Sequence, residues 1–247
     1  MLRALLWTDP LIAIFTVVMG SISLLASIAD GTGRWQHRIA RRWARMVLGA
    51  GGVKVTVSGL ENITPGATYV FCSNHHSLID TPVVFGWLPW EFRVLAKKGL
   101  WAIPFLGWHL RRAGHLPVAR DDVRASVRNI IDAARRVAQG VSIVVFPEGG
   151  RSPDGNLGEF RAGAAYIAIR AGVPVVPMCM LGTRLTLPPG SIIVRRGAVE
   201  LRIGAPISTA GMNSHDAEAL LAGLRSRIQE LTSASVPAGH FKTGHMG

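Results

Sequence analysis

Asn74-His75-His76-Ser77-Leu78-Ile79-Asp80 lies where one kind of local structure gives way to another. Before it runs Thr68-Tyr69-Val70-Phe71-Cys72-Ser73, rich in β-branched and aromatic side chains, which reads as a buried strand. Asn74 can end that strand, and Thr81-Pro82 suits the opening of a helix. Two histidines and an aspartate therefore fall at a strand-to-helix turn, the edge of an α/β sheet where ligand chemistry collects.

The chemistry available there is proton transfer. Histidine exchanges a proton near neutral pH, and a neighbouring carboxylate fixes its tautomer and steadies the imidazolium. Spacing alone leaves the partner open. On a helix His76 and Asp80 share a face and His75 does not, so His75 reaches Asp80 only from the turn. A surface or capping role is the bland alternative for either ring.

Three further blocks change the weight of the first. They are Gly114-His115-Leu116-Pro117-Val118-Ala119-Arg120, then Phe146-Pro147-Glu148-Gly149-Gly150-Arg151-Ser152, and Val173-Pro174-Val175-Val176-Pro177. In this order and spacing the chain resembles the glycerolipid acyltransferase family, whose members include enzymes that acylate lysophosphatidic acid. The resemblance covers roughly residues 50–210. It aligns His75 with the family's general base and Asp80 with its partner. Gly150 stands where the family's third block usually carries a hydroxyl residue. The activity implied is transfer of an acyl group from a thioester, acyl-CoA or acyl carrier protein, to a lysophospholipid hydroxyl. Lysophosphatidic acid is the first choice of acceptor; glycerol 3-phosphate, another lysophospholipid or a lyso-ornithine lipid follows. Such a reaction needs no cofactor beyond the thioester co-substrate. Arg120 and Arg151 can clamp an acceptor phosphate through their planar forks, with Lys97 as a further cation. Glu148 and Gly149 complete the substrate-binding set, Glu148 by accepting from a glycerol hydroxyl or by orienting Arg151.

Working outward, Leu11 to Ala29 carries no charge, and its length sits at the lower limit for crossing a bilayer. A cleaved signal peptide fits poorly, because the apolar region is long and the amino end barely basic. From Arg34 to Leu48 two faces alternate at helical spacing: Trp35, Ile39, Trp43, Met46 and Val47, against Arg34, Arg38, Arg41 and Arg45. Such a helix can lie in the headgroup layer of an anionic membrane, and basic charge after the apolar span places that side in the cytoplasm. The family resemblance likewise implies an amino-terminal helical pair inserted in one leaflet. The expected address is the cytoplasmic face of the inner (plasma) membrane, with membrane lipid as a partner. A net charge of +12 and a mean hydropathy of +0.30 agree with an anionic surface as partner.

The expected domains are residues 1–48 for membrane anchoring, 49–231 for acyl transfer, and 232–247 as a loose tail. Gly49-Ala50-Gly51-Gly52 marks the first boundary. Val53 to Val57 reads as an outer strand, and Phe92 to Ala96 and Val141 to Phe146 as further strands. Trp101 to Leu110 lines an acyl site, touches lipid, or forms a broken core helix. Asp121 to Gln139 reads as a helix, as does a segment opening at Phe160-Arg161-Ala162-Gly163. After the Val173–Leu181 strand, residues 192–194 and 199–203 look like a closing hairpin, and Ser214 caps a last helix. The fold class is α/β: a mixed, mostly parallel sheet flanked by helices.

A rival from another class, a membrane-docked lipid-binding protein without activity, is opposed by the intact His75, Asp80, Glu148 and Arg151, and other chemistries fit less well. A zinc site at His75, His76 and Asp80 lacks further ligands at metal spacing. Ser77 and Cys72 lack the G-x-S-x-G elbow of a nucleophile. The H-H-x-x-x-D-G pattern of condensation domains, in which the second histidine acts, needs glycine where Thr81 stands. No groove-reading motif supports nucleic acid as the partner of the basic charge. Cys72 and Cys179 lie in apolar runs and read as buried thiols.

Overall fold

In the computed structural model, residues 7–118 and 123–233 are described; Arg120 and nearly all of the expected tail lie outside them. Seven strands form one sheet: β1 (Val53–Ser58), β2 (Val70–Ser73), β3 (Phe92–Lys97), β4 (Leu116–Val118), β5 (Ser142–Val145), β6 (Val175–Leu181) and β7 (Gly197–Ile203). Their order is β1-β7-β6-β2-β5-β3-β4. Only β6 and β7 run antiparallel. The helices are α1 (Asp9–Ala29), α2 (Arg34–Gly51), α3 (Asp80–Trp87), α4 (Leu106–Arg112), α5 (Val123–Ala138), α6 (Gly163–Ala171), the short α7 (Thr183–Thr186) and α8 (Ala217–Ser233).

Strand position follows sequence pattern. β2 is buried along its whole length and lies between β5 and β6, as a continuous apolar run demands. Its residues alternate between two cores. Phe71 joins α2 and α3 on one face, through Ala40, Ala44, Leu48, Val83 and Val84. Val70 and Cys72 join α5, α6 and α8 on the other, through Ala134, Ile167 and Leu224. β1 alternates between inward and exposed residues and forms an edge. Both cysteines are free and buried, and burial pushes their thiols up from the usual range.

The amino-terminal expectation holds for one helix, and two later expectations are corrected. α1 is long and apolar enough to cross a membrane and buries little of itself. Of the expected amino-terminal pair, only α1 is long and apolar enough for that. α2 buries Gln36, His37, Ala40, Ala44, Val47 and Leu48, a stripe offset from the one drawn through its tryptophans. Three of its arginines are engaged in the protein, Arg34 through an exposed ion pair with Glu91 at 3.4 Å. Arg41 Nη2 donates to the carbonyls of Leu88 and Trp90, and Arg45 Nε donates to that of Gly86. The Gly86 and Leu88 carbonyls lie at the carboxyl end of α3, where cations are favoured. The expected closing hairpin is absent: residues 192–194 form no strand, and β7 pairs parallel with β1 and antiparallel with β6. Asn213, not Ser214, caps the last helical segment. Its side chain accepts from His215 N–H at 2.9 Å, while Asp216 accepts from Asn213 N–H at 2.7 Å.

Candidate active site

The site forms where β2 and β5 end side by side, Cys72 paired with Val145. Asn74 closes β2 by bridging to β6. Its Oδ1 accepts from Met180 N–H at 2.7 Å and its Nδ2 donates to the Met180 carbonyl at 3.0 Å. The chain then turns through residues 75–79, and α3 begins at Asp80 itself.

Asp80 is fully buried, and one of its oxygens organises the turn. Oδ2 accepts from His75 Nδ1 at 2.8 Å and from the backbone N–H groups of His76 and Ser77 at 2.7 Å each. Paired with a carboxylate oxygen, His75 Nδ1 is the donor and carries the proton of this hydrogen bond. The Nε2 of His75 is then left with a lone pair. The ring stacks on Phe146, centroids 4.2 Å apart, and lines a cavity of about 960 Å³. The alternative the sequence left open is closed here. His76 turns toward Asn74, 3.3 Å from its Nδ2, and only its backbone meets Asp80. Ser77 spends its hydroxyl on the Leu187 carbonyl at 2.7 Å.

Glu148 follows β5 and binds the two loops together. Its Oε1 accepts from His75 N–H at 2.7 Å, and its Oε2 accepts from Gly158 N–H at 3.0 Å. Ser152 N–H returns the link by donating to the His75 carbonyl at 2.8 Å. The backbone on both sides of the histidine is therefore clamped. Glu148 makes no ion pair with Arg151 among the described residues, so it supports His75 rather than the arginine.

The cavity draws on both loops and on β3. Leu95, Leu100, Val145, Phe160 and Ala164 give it apolar walls. Of the cations named from sequence, Lys97 lines it; Arg151 is exposed and outside the lining, and Arg120 lies outside the described residues. Arg161 does line it, and sequence reading passed it over as the opening of a helix. Its backbone N–H donates to the Pro147 carbonyl at 2.9 Å, which draws it back onto the Glu148 loop. Its side chain crosses Gly149. There φ is +70°, and a Cβ would sit 2.9 Å from Arg161 Nε. Gly149 is therefore needed twice, for its backbone angle and for the room it leaves.

Comparison with known proteins agrees with this geometry. Residues 54–181 match the family model described as Acyltransferase. The chain is 37% identical over 176 residues to the chloroplastic 1-acyl-sn-glycerol-3-phosphate acyltransferase BAT2 of Brassica napus, covering 70% of this chain and 51% of that protein. It is 35% identical over 199 residues to the Arabidopsis thaliana chloroplastic enzyme LPAT1, covering 80% and 54%. The chain thus spans about half the length of these curated relatives. The crystal structure of the 1-acyl-sn-glycerophosphate (LPA) acyltransferase PlsC from Thermotoga maritima superposes with a TM-score of 0.77 at 27% identity, covering 96% of this chain and 99% of that one. A family match over more than half the chain, carried on a shared fold and a paired histidine and aspartate, has one meaning: this chain belongs to the Acyltransferase family.

Proposed function

We propose that this chain moves a fatty acyl group from an acyl thioester to the hydroxyl of a lysophospholipid, with 1-acyl-sn-glycerol 3-phosphate as acceptor and phosphatidic acid as product. The observation that carries the proposal is the 2.8 Å bond between His75 Nδ1 and Asp80, which leaves Nε2 for the cavity. In this mechanism the acceptor hydroxyl attacks the thioester carbonyl as Nε2 of His75 takes its proton. Asp80 steadies the imidazolium. The tetrahedral intermediate collapses, the C–S bond breaks, and the thiolate recovers the proton from His75. Because the thioester is already activated, no acyl-enzyme is required.

In the same reading Arg151, Arg120 and Lys97 meet anionic groups of the substrates, and Glu148 with Gly149 shapes the loop that leads to Arg151. The Phe146 stack keeps the His75 ring at one angle. Residues 49–231, with α2 packed against them, form the catalytic unit, and the residues up to the end of α1 attach it to the membrane. α1 gives the membrane contact, and the basic charge that follows it in sequence favours the cytoplasmic leaflet. The donor is acyl-CoA or acyl carrier protein, both anionic and both suited to a chain of net charge +12.

The test is mass spectrometry of the purified chain with each donor against a panel of acceptors: lysophosphatidic acid, glycerol 3-phosphate, uncharged-headgroup lysolipids and lyso-ornithine lipid. Phosphatidic acid should form fastest. Product from a different acceptor alone would reassign the substrate, and no product from any would remove the activity.

A further inference from the structure

Residues 97–112 run Lys-Lys-Gly-Leu-Trp-Ala-Ile-Pro-Phe-Leu-Gly-Trp-His-Leu-Arg-Arg and contain no acidic residue. A helical turn over Lys98–Ala102 leads into α4 through a tight bend. At that bend Phe105 has φ 61° and ψ −56°, the only positive φ outside glycine among the described residues. Leu106 N–H donates to the Pro104 carbonyl at 2.7 Å, closing a three-residue turn of the strained kind. Gly107 allows the fold-back, because a Cβ there would lie 2.2 Å from the Trp101 carbonyl oxygen.

The strain has a visible product. Ile103, Phe105, Leu106 and Trp108 all stand exposed, Phe105 at 62% and Trp108 at 50%. The two aromatic rings touch each other, centroids 5.3 Å apart, and neither is packed into a core. Isolated exposed apolar residues are ordinary, but four together on a strained turn are not. Around them Lys97, Lys98, Arg111 and Arg112 are exposed. The patch is also tied to α1, where Ser23 Oγ lies 2.8 Å from His109 Nδ1. On α1 Val17, Ile22 and Leu25 are exposed.

We propose that the Ile103–Trp108 turn is a second membrane-contacting element, an aromatic wedge seated in the headgroup and upper acyl layer of an anionic bilayer. An apolar tip with a basic rim and no acid is the complement of that layer. Its continuity with α1, whose membrane role belongs to the function proposed above, selects lipid over a soluble partner. The same stretch supplies Lys97 and Leu100 to the cavity wall. Seating the wedge therefore fixes the mouth of the cavity at the headgroup plane, where a lysolipid hydroxyl resides.

The test uses the full chain with an environment-sensitive fluorophore on one introduced cysteine. Cys72 and Cys179 are buried, so labelling goes to the introduced site. The sites are Phe105→Cys, Trp108→Cys as a second position free of the strained angle, Val17→Cys on α1, and Arg227→Cys on α8 across the sheet. Vesicles of phosphatidylethanolamine with phosphatidylglycerol should shift emission at 105 and 108 to the blue. Lipids carrying a quencher high on the acyl chain should quench both, and the probe at 227 should stay water-like. Water-like emission at 105 and 108 with a shifted probe at 17 overturns the wedge and leaves α1 intact. Water-like emission at all three overturns both. A shift that needs no vesicles and grows with protein concentration assigns the turn to a second copy of this chain and also overturns the wedge.

Discussion

At the scale of single residues, Asp80 and Glu148 divide the task of holding one imidazole. Asp80 sets the proton on the ring, and Glu148 sets the backbone beneath it. Helical spacing misjudges the first contact because α3 starts at Asp80, so residues 75–79 form a turn and five positions close into one hydrogen bond. The motif was legible in sequence; its geometry was not, since a turn has no period to count. Arg161 was missed for a related reason. Its place at the cavity depends on a bond to Pro147, across a loop that no periodicity describes. This placement separates the two arginines. Arg161→Gln should raise the apparent KM for whichever substrate brings its phosphate to the cavity, on the order of 10-fold for one charge-assisted contact. Arg151→Gln should do less, because its side chain is outside the lining. Steady-state kinetics with acceptor and donor varied in turn will show which substrate each arginine meets. A larger effect at Arg151 on both substrates would contradict the assignment.

Among the elements, α2 departs most from its sequence pattern. Its tryptophans and arginines trace a surface-seeking helix, yet it lies between α1 and the sheet. Trp43 Nε1 donates to Thr16 of α1 at 3.1 Å, while Ala40, Ala44 and Leu48 enter the core. Residue type alone cannot separate a helix buried on two sides from one lying on a membrane. The strands were easier, because unbroken β-branched runs admit few alternatives to a central parallel strand. α2 also brings in an ionisable group. His37 Nε2 lies 2.9 Å from the Trp90 carbonyl, and burial, with Arg41 and Arg93 nearby, pushes its pKa down to about 4. His115, fully enclosed and near the same Arg93, is held well below the usual histidine range by burial first. These rings are neutral when folded and protonate more readily when unfolded. Their stabilising contribution is therefore complete above about pH 6.5 and is lost as pH falls below it, for His37 as pH approaches about 4. For His37 alone the loss is of order 3 kcal/mol across that window. Thermal unfolding in detergent should show a midpoint that drops between pH 6.5 and 5. In His37→Gln, which can still donate to Trp90, that drop should shrink; an unchanged slope would clear His37 of the effect.

For the molecule as a whole, the sheet places the cavity at one edge and α1 leaves most of its surface free. These features make truncation informative. Removal of residues 1–29 takes away α1, whose described side chains are mostly exposed, and should give a folded protein that floats poorly with liposomes. Removal through 48 also strips Ala40, Ala44 and Leu48 from the core. A single buried leucine is worth about 2–5 kcal/mol, so that protein should be largely unfolded. Circular dichroism and flotation on the two truncations give the comparison, and equal folding of both would place α2 outside the core. The central claim is that His75, oriented by Asp80, takes the proton of the acceptor hydroxyl. Its most direct test is the turnover of His75→Ala and His76→Ala with lysophosphatidic acid and an acyl thioester, read by mass spectrometry of the lipid product. Loss of the base should lower kcat in His75→Ala by about 10²–10⁴-fold, with His76→Ala retaining most of its rate. Turnover that survives in His75→Ala and vanishes in His76→Ala would contradict the account.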